Sequence, residues 1–526
     1  MSRWCVSLAL SLCLLGWTAQ GWAQSFQAQL DKVHEDISNW QMPEAREGLD
    51  KLAAEGHEDD PHVLFARGYY EFYKGDYKQS LALIDQAMVS APADDKQGMG
   101  SLRKQVEVAY EVTKNYKEFY SPDKRFLIRV EPGKDEILVP YAFETLEGAY
   151  QHISKLLGHE PPTPILIEMY PTAATLAKVS PLTEEDIKNS GTIALCKYNR
   201  LMFTSPKALL KGYSWRDTVA HEFTHLAITQ RSNNTVPIWM HEGLAKYLEQ
   251  LWQEGRDPSM LPSSENMLSK GVKDDKLITF EQMHPSMAKL PTQEATSLAF
   301  AEVYTVMEYL EKQKGRGAFA QLLTLMRQGK GPEKAMEELL GVPFSAFQRQ
   351  WLAYLKARPS RAFDEEFVNV EKLRFYDDKP GSELLDIGKK EARDLVHLGE
   401  LLQARDRYGA AVVEYQKART LIGDHNPILQ TRLGKSLIVL KRYQEAVDVL
   451  VKSLDYYPNY FETYALLGEA LWMLGRKEEA EEALVDALGI NPFDPKPHEL
   501  LAQIYERDGR VEQAEQSRRF ARMVGR

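Results

Sequence analysis

The strongest constraint on the fold of this chain is a period. Gly399, Gly434, Gly468 and Ala502 follow one another at intervals of 35, 34 and 34 residues, and twelve positions after each stands Ala411, Ala446, Ala480 or Ala514. Seven residues further come Ala418, Ser453, Ala487 and Ala521, and Pro458 and Pro492 close two of the units. Small residues at fixed offsets mark places where two antiparallel helices touch, because only a small side chain lets the backbones approach. Each pair then needs a neighbour to bury its remaining stripe. The spacing predicts stacked helix pairs over 391–526. A degenerate copy with Gly68, Ser80, Ala87 and Pro92 at the same offsets, flanked by helical segments at about 26–56 and 96–118, predicts a smaller helical region over 26–120.

This pattern resembles the tetratricopeptide repeat, a 34-residue helix pair, and the resemblance implies a groove that binds a protein partner or presents substrate. Between the two helical ends the texture changes. RFLIRVEP near 125, ILIEMYP near 165 and LMFTSP near 201 read as short strands rich in β-branched and aromatic residues. The helix-period segment YAFETLEGAYQHISKLLG lies between the first two. This predicts an α+β domain over 121–357, a small mixed sheet plus helices, flanked by all-α repeats. The segment 358–390, with Pro359, Pro380 and Gly381 and few apolar repeats, reads as a connector.

At 526 residues the chain is too long for one core. Its net charge of −11 leaves no basic footprint for nucleic acid or for an anionic membrane surface. The N-terminus carries Arg3, an apolar run from Cys5 to Trp17 and a small-residue exit ending Gly21-Trp22-Ala23. That order is expected of a secretory signal peptide over 1–23, and it implies a periplasmic or secreted protein with no stable membrane span after cleavage. Cleavage leaves Cys196 as the one remaining cysteine, so no internal disulfide is expected. Cys196 itself reads as a small apolar residue in a strand.

The chemistry concentrates in TVAHEFTHLAITQ, residues 218–230. His221 and His225 stand four apart, so on a helix they share one face, a turn apart, and both can reach a single ion. Glu222 is offset by about 100° and can face a water at that ion. A catalytic zinc needs a third protein ligand and an open position. Further along, PIWMHEGLAKYLEQ has the apolar spacing of another helix, with Glu242 near its start.

Trp239, Glu242, Gly243 and Ala245 resemble the W-x-x-E-G-x-A pattern of the gluzincin metallopeptidases, in which that glutamate is the third zinc ligand. The order of segments from FYSPDKRFLIRV through HEFTH and WMHEG to LLGVPFSAFQRQWLAYL is similar to the peptidase MA-like family. Such domains are often found in bacterial proteins that also carry tetratricopeptide repeats. The resemblance implies one zinc per chain held by His221, His225 and Glu242, with Glu222 as general base in peptide hydrolysis. Sixteen residues separate His225 from Glu242, slightly fewer than in aminopeptidase N-type enzymes, so a tighter connection between the two helices is expected.

Gluzincins commonly supply a Tyr or His to the developing oxyanion from the helical region after the third ligand. Tyr304 is the candidate here, although the family often shows Tyr where this chain has Phe300. The stretch from Ile193 to Phe203 resembles the edge strand on which these enzymes lay an extended peptide. Asp217, four residues before His221, is a possible partner for that imidazole, or a partner of the helix dipole. His241, beside the third ligand, could meet substrate, compete for the ion or sit partly exposed at the helix start. The leading expectation is an exported zinc-dependent metallopeptidase acting on a peptide or protein substrate. The alternative is a repeat scaffold for protein interaction whose metallopeptidase-like domain is catalytically idle.

Overall fold

A computed structural model of the chain describes residues 25–284, 286–287, 290–359, 374–375 and 383–525. The signal peptide expected at 1–23 and most of the expected connector lie outside the described residues.

Among these, the strands form one sheet in the order β1 (Lys117–Tyr120), β2 (Phe126–Val130), β3 (Ile165–Tyr170), β5 (Arg200–Thr204), β4 (Ala194–Lys197). The three central strands are parallel and the two edges antiparallel. β3 and β5 are buried along their whole length, which is why they read as mostly apolar runs, broken by Glu168 and Arg200, rather than as alternation. β1 precedes the boundary expected at 121. Its sequence KEFY is mostly exposed and carries no apolar signature, and it is a strand because it pairs with β2 from Lys117↔Val130 to Tyr120↔Leu127.

The stretch expected as one strand over 193–203 is a hairpin. Tyr198 and Asn199 both take positive φ, at 55° and 58°, the conformation that turns a two-residue hairpin. Arg200 then re-enters the sheet as the first residue of β5 while β4 is left at the edge.

One sheet face is covered by the N-terminal helices. Arg129, Glu168 and Arg200, from β2, β3 and β5, project to this face. Glu168 is fully buried, with Arg129 and Arg200 each 3.3 Å from one of its oxygens. Tyr77 and Tyr170 donate to the same carboxylate at 2.7 and 2.6 Å, and Arg200 also donates to the Phe72 carbonyl. The helix pair Pro61–Lys74 and Tyr77–Ser90 is thereby tied to the sheet, and its apolar residues join the same core as the strands. Within the pair, a Cβ at Gly68 would fall 2.7 Å from Ile84. That close approach is what the small residue at this offset permits.

Behind the sheet lie the helices Leu138–Leu157, Trp215–Ser232, Ile238–Leu248 and Gln293–Lys314. The C-terminal repeats are eight described helices from Lys390–Gln403 to Val511–Val524 with a separate core. A Cβ at Gly399 would lie 2.3 Å from Tyr415 and one at Gly468 2.5 Å from Leu484, so the periodic small residues sit at the helix crossings. Within the described parts of the connector Phe375 and Ile387 are buried, and Phe375 bridges to Leu209, while Leu385 is exposed. No described helix is long and apolar enough to cross a membrane.

Candidate metal centre

The helix Trp215–Ser232 runs through the core, with Val219, Ala220, Phe223, Leu226 and Ala227 buried. Its histidine face turns into a cavity of about 1580 Å³. After Ser232 the chain reverses at once, because Asn233 and Asn234 both adopt positive φ and Pro237 caps the next helix, Ile238–Leu248. This is the tight connection that the short separation called for. Gly243 brings the second helix close: a Cβ there would stand 3.0 Å from the Val303 carbonyl oxygen and from Met307. Trp239 stacks on Phe280 at 4.3 Å between ring centroids. The W-x-x-E-G spelling therefore records how this helix is held against its neighbours.

The two helices bring three donor atoms together. His221 Nε2 and His225 Nε2 are 3.1 Å apart, and Glu242 Oε2 lies 3.4 Å from the first and 3.3 Å from the second. A tetrahedral zinc with ligands at about 2.0–2.1 Å spans ligand–ligand edges of about 3.3–3.4 Å. The triangle fits such an ion, and two imidazoles with one carboxylate are a donor set that suits zinc.

Glu222 is 5 % exposed and lines the same cavity. Its Oε2 is buried with no hydrogen-bond partner among the described residues. Burial raises its pKa above the ordinary carboxylate value, with Glu242 adding to the effect and His225 and His221 opposing it. A buried carboxylate oxygen without a partner, beside a donor triangle, is the arrangement a general base requires.

Supporting contacts fix both imidazoles. His221 Nδ1 lies 3.1 Å from Glu249 Oε2, a residue that sequence reasoning missed. Its signal was the position seven residues after Glu242, two helical turns on and so on the same face. Asp217, the partner considered from sequence, instead accepts from Trp252 Nε1 at 2.8 Å. Residues four apart share a helix face, but the Asp217 carboxylate is turned toward the segment following the Glu242 helix. Burial, with Glu249 nearby, pushes its pKa up to about 6.

His241 does not join the donor triangle; it sits partly exposed at the helix start and lines the cavity. Its Nδ1 meets His225 Nδ1 at 2.6 Å and its Nε2 lies 3.2 Å from Thr229 Oγ1. An ion on His225 Nε2 would leave the proton on His225 Nδ1, and His241 would then accept at Nδ1 and donate from Nε2 to Thr229. Burial and the neighbouring His225 push its pKa down to about 3, so His241 is a neutral acceptor.

Tyr304 does not reach the cavity. It is 3 % exposed and packs with its ring 5.0 Å from Tyr247, while Phe300, one turn earlier, lines the cavity with its ring 6.4 Å from that of His221. By residue 304 the helix has passed behind the Glu242 helix, whose Tyr247 covers it. The oxyanion role expected of Tyr304 has no geometric support. Cys196 is half-buried in the cavity wall, and burial pushes its thiol pKa well up.

Residues 145–357 match the Peptidase MA superfamily and residues 437–504 match the tetratricopeptide repeat. No curated protein matches the chain. Among solved structures, MamA 41-end from Desulfovibrio magneticus is 25% identical over 26% of this chain and 77% of its own, with a TM-score of 0.24. The first tetratricopeptide repeat domain of Spaghetti (RPAP3), solved with an HSP90 peptide, is 22% identical over 23% of this chain and 94% of its own, with a TM-score of 0.22.

Proposed function

From the combination of a Peptidase MA superfamily domain with tetratricopeptide repeats, we propose that this protein is an exported zinc-dependent peptidase. His221, His225 and Glu242 hold one zinc per chain and Glu222 is the general base. The observation that carries the reading is the pairing of the donor triangle, with edges of 3.1–3.4 Å, with the unpartnered Oε2 of Glu222. A purely structural site has no use for a buried base beside the ion.

Zinc, when bound, supplies Lewis acidity for the attacking water and for the carbonyl under attack. Glu222 takes the proton released as water attacks and returns it to the departing amine nitrogen. Its raised pKa places it nearer to the value that both halves of that exchange need. Glu249 and His241 hold the two imidazoles in orientation. β4 offers main-chain groups to an extended substrate. The export reading rests on Arg3, the apolar run from Cys5 to Trp17 and the small-residue exit at Ala23. N-terminal sequencing of the mature protein would test it.

The activity is tested by metal analysis of the purified protein and of Glu222→Gln, with hydrolysis of an unfolded protein followed alongside. The expected result is about one zinc per chain in both, with cleavage lowered by roughly 10²–10⁴-fold in the variant. Zinc retained by both proteins, with no chelator-sensitive cleavage by the wild type, would overturn the peptidase reading in favour of a repeat scaffold.

A further inference from the structure

The cavity at the metal centre is not a cleft of the peptidase domain alone. The same space is lined by His221, Glu222 and Glu242 and by residues of the C-terminal repeats, among them His425, Tyr456, Tyr457 and Asn459. These lie in two inter-repeat connections, between the helices Tyr408–Ile422 and Pro427–Val439 and between Tyr443–Leu454 and Phe461–Met473. Trp40, from the N-terminal helices, lines a third side.

The repeats are anchored to the start of the helix that carries both histidines. Trp215, its first residue and six before His221, donates from Nε1 to the Leu488 carbonyl at 3.0 Å, a buried bond. The Tyr213 amide donates to the Ile490 carbonyl at 3.1 Å. Between them and the cavity, Gly212 adopts φ 72°, and a Cβ there would stand 2.3 Å from the Ile490 oxygen, so the approach requires glycine on both counts. At the far end Lys134 Nζ donates to the Val524 carbonyl at 2.9 Å. These contacts hold the inter-repeat connections in a set position relative to the metal ligands.

β4 lines the same cavity. The Thr204 amide donates to the Ile193 carbonyl, so in the antiparallel pair residues 193, 195 and 197 exchange bonds with β5. The main-chain groups of Ala194 and Cys196 point the other way.

We propose that the C-terminal repeats form, in cis, the second wall of the substrate cleft. The cleft takes an extended stretch of unfolded polypeptide lying between β4 and the connections at 425–427 and 455–459. The proposal rests on the peptidase reading above and adds the substrate class and the role of the repeats. The volume of about 1580 Å³ exceeds the ~300–1,000 Å³ of small-molecule pockets. Walls from three parts of the chain suit a strand better than a folded surface. The repeat side presents tyrosine, histidine and asparagine, rigid aromatic area combined with adaptable hydrogen bonding, which tolerates varied side chains. The repeats thus select substrate at the catalytic centre itself rather than recruiting it from a distance.

The test uses full-length, zinc-loaded Glu222→Gln protein and a fluorescein-labelled, reduced and carboxymethylated lactalbumin as a permanently unfolded probe, with binding read by anisotropy. Tyr456→Ala/Tyr457→Ala removes the aromatic wall, and Asn459→Trp narrows the cleft from the repeat side without removing core contacts. Each should weaken binding about tenfold. Val511→Ala, at a residue 63% exposed on the last helix, should leave it unchanged. Equal affinity in all of these proteins would overturn the proposal, and if the double variant fails to fold, Asn459→Trp decides. The two readings fail separately. Absence of cleavage by the zinc-loaded wild type with wall-dependent binding removes the peptidase reading alone, whereas cleavage by the wild type with wall-independent binding removes this one alone.

Discussion

Replacing His241 by Leu should weaken zinc binding by one to two orders of magnitude while leaving the three ligands in place. His225 Nδ1 has its partner in His241 Nδ1 at 2.6 Å, and His241 is in turn held by Thr229 at 3.2 Å. Leucine removes the acceptor and keeps most of the bulk, so the ligand imidazole is left with a largely buried N–H. Leaving such a donor unsatisfied costs about 1–3 kcal/mol. At about 1.4 kcal/mol per decade this corresponds to the roughly 10–100-fold loss typical when a ligand's supporting partner is removed. The assay is competition for zinc against a chromophoric chelator at pH 7, with metal-free melting curves recorded to separate folding from affinity. Asn is the informative control, because its side-chain oxygen can stand where His241 Nδ1 stands, and His241→Asn should come within about threefold of the wild type. Wild-type affinity in His241→Leu, or equal losses in the Leu and Asn variants, would show that the contact contributes packing and not orientation.

Three further outcomes follow from the buried charges. In the metal-free protein burial works against a charged His221, but Glu242 and Glu249 outweigh it and hold its pKa up to about 10. Zinc uptake between pH 7 and 8 should therefore release about one proton and weaken as pH falls, and calorimetry in buffers of different ionisation enthalpy that finds no proton release would contradict this. Arg200→Met leaves Glu168 buried with Arg129 as its remaining cationic partner and should cost about 3–5 kcal/mol in urea unfolding, with hydrogen exchange rising first in the helices Pro61–Lys74 and Tyr77–Ser90. Glu302 is fully buried, accepts from the Ile278 amide, and burial pushes its pKa up to about 8. The unfolded chain releases this proton above about 4.5 while the folded one keeps it until about 8, so the residue lowers stability as pH rises through that window. Glu302→Gln should flatten that decline and raise Tm at pH 8, at roughly 2–4 °C per kcal/mol; a melting profile as steep as the wild type's would contradict it.

Features of this protein that rest on short-range patterns were legible in the sequence. The 34-residue spacing identified the helix crossings because a crossing needs a small residue, as Gly399 against Tyr415 shows. The apolar runs at β2, β3 and β5 marked strands because burial on both faces leaves few polar positions, and the charged residues that do occur there, Arg129, Glu168 and Arg200, pair with one another. His221, His225 and Glu242 could be singled out because helical geometry and a short second motif place them. The short interval before Glu242 anticipated the tight Asn233–Asn234 reversal.

What escaped depends on partners distant in the chain. KEFY is a strand only because β2 is beside it, and its composition follows from its exposure. Tyr198–Asn199 turns a hairpin without the Asn-Gly spelling that announces one. Tyr304 and Phe300 lie one turn apart on the same helix, and periodicity cannot say that Tyr247 covers the first and leaves the second at the cavity. Asp217 had the right spacing for His221 and turned to Trp252 instead.

The sequence by itself determined the kinds of structure present and the shared face of His221 and His225, since helix period and strand burial are written within a few turns of chain, while Glu242 was pointed to by the resemblance of its motif. Only the tertiary structure decided what surrounds them: Glu249 and His241 behind the imidazoles, Phe300 rather than Tyr304 at the cavity, and the repeats as its far wall. Those choices depend on which surfaces pack together across hundreds of residues, and packing is settled by shape and burial that no local pattern encodes.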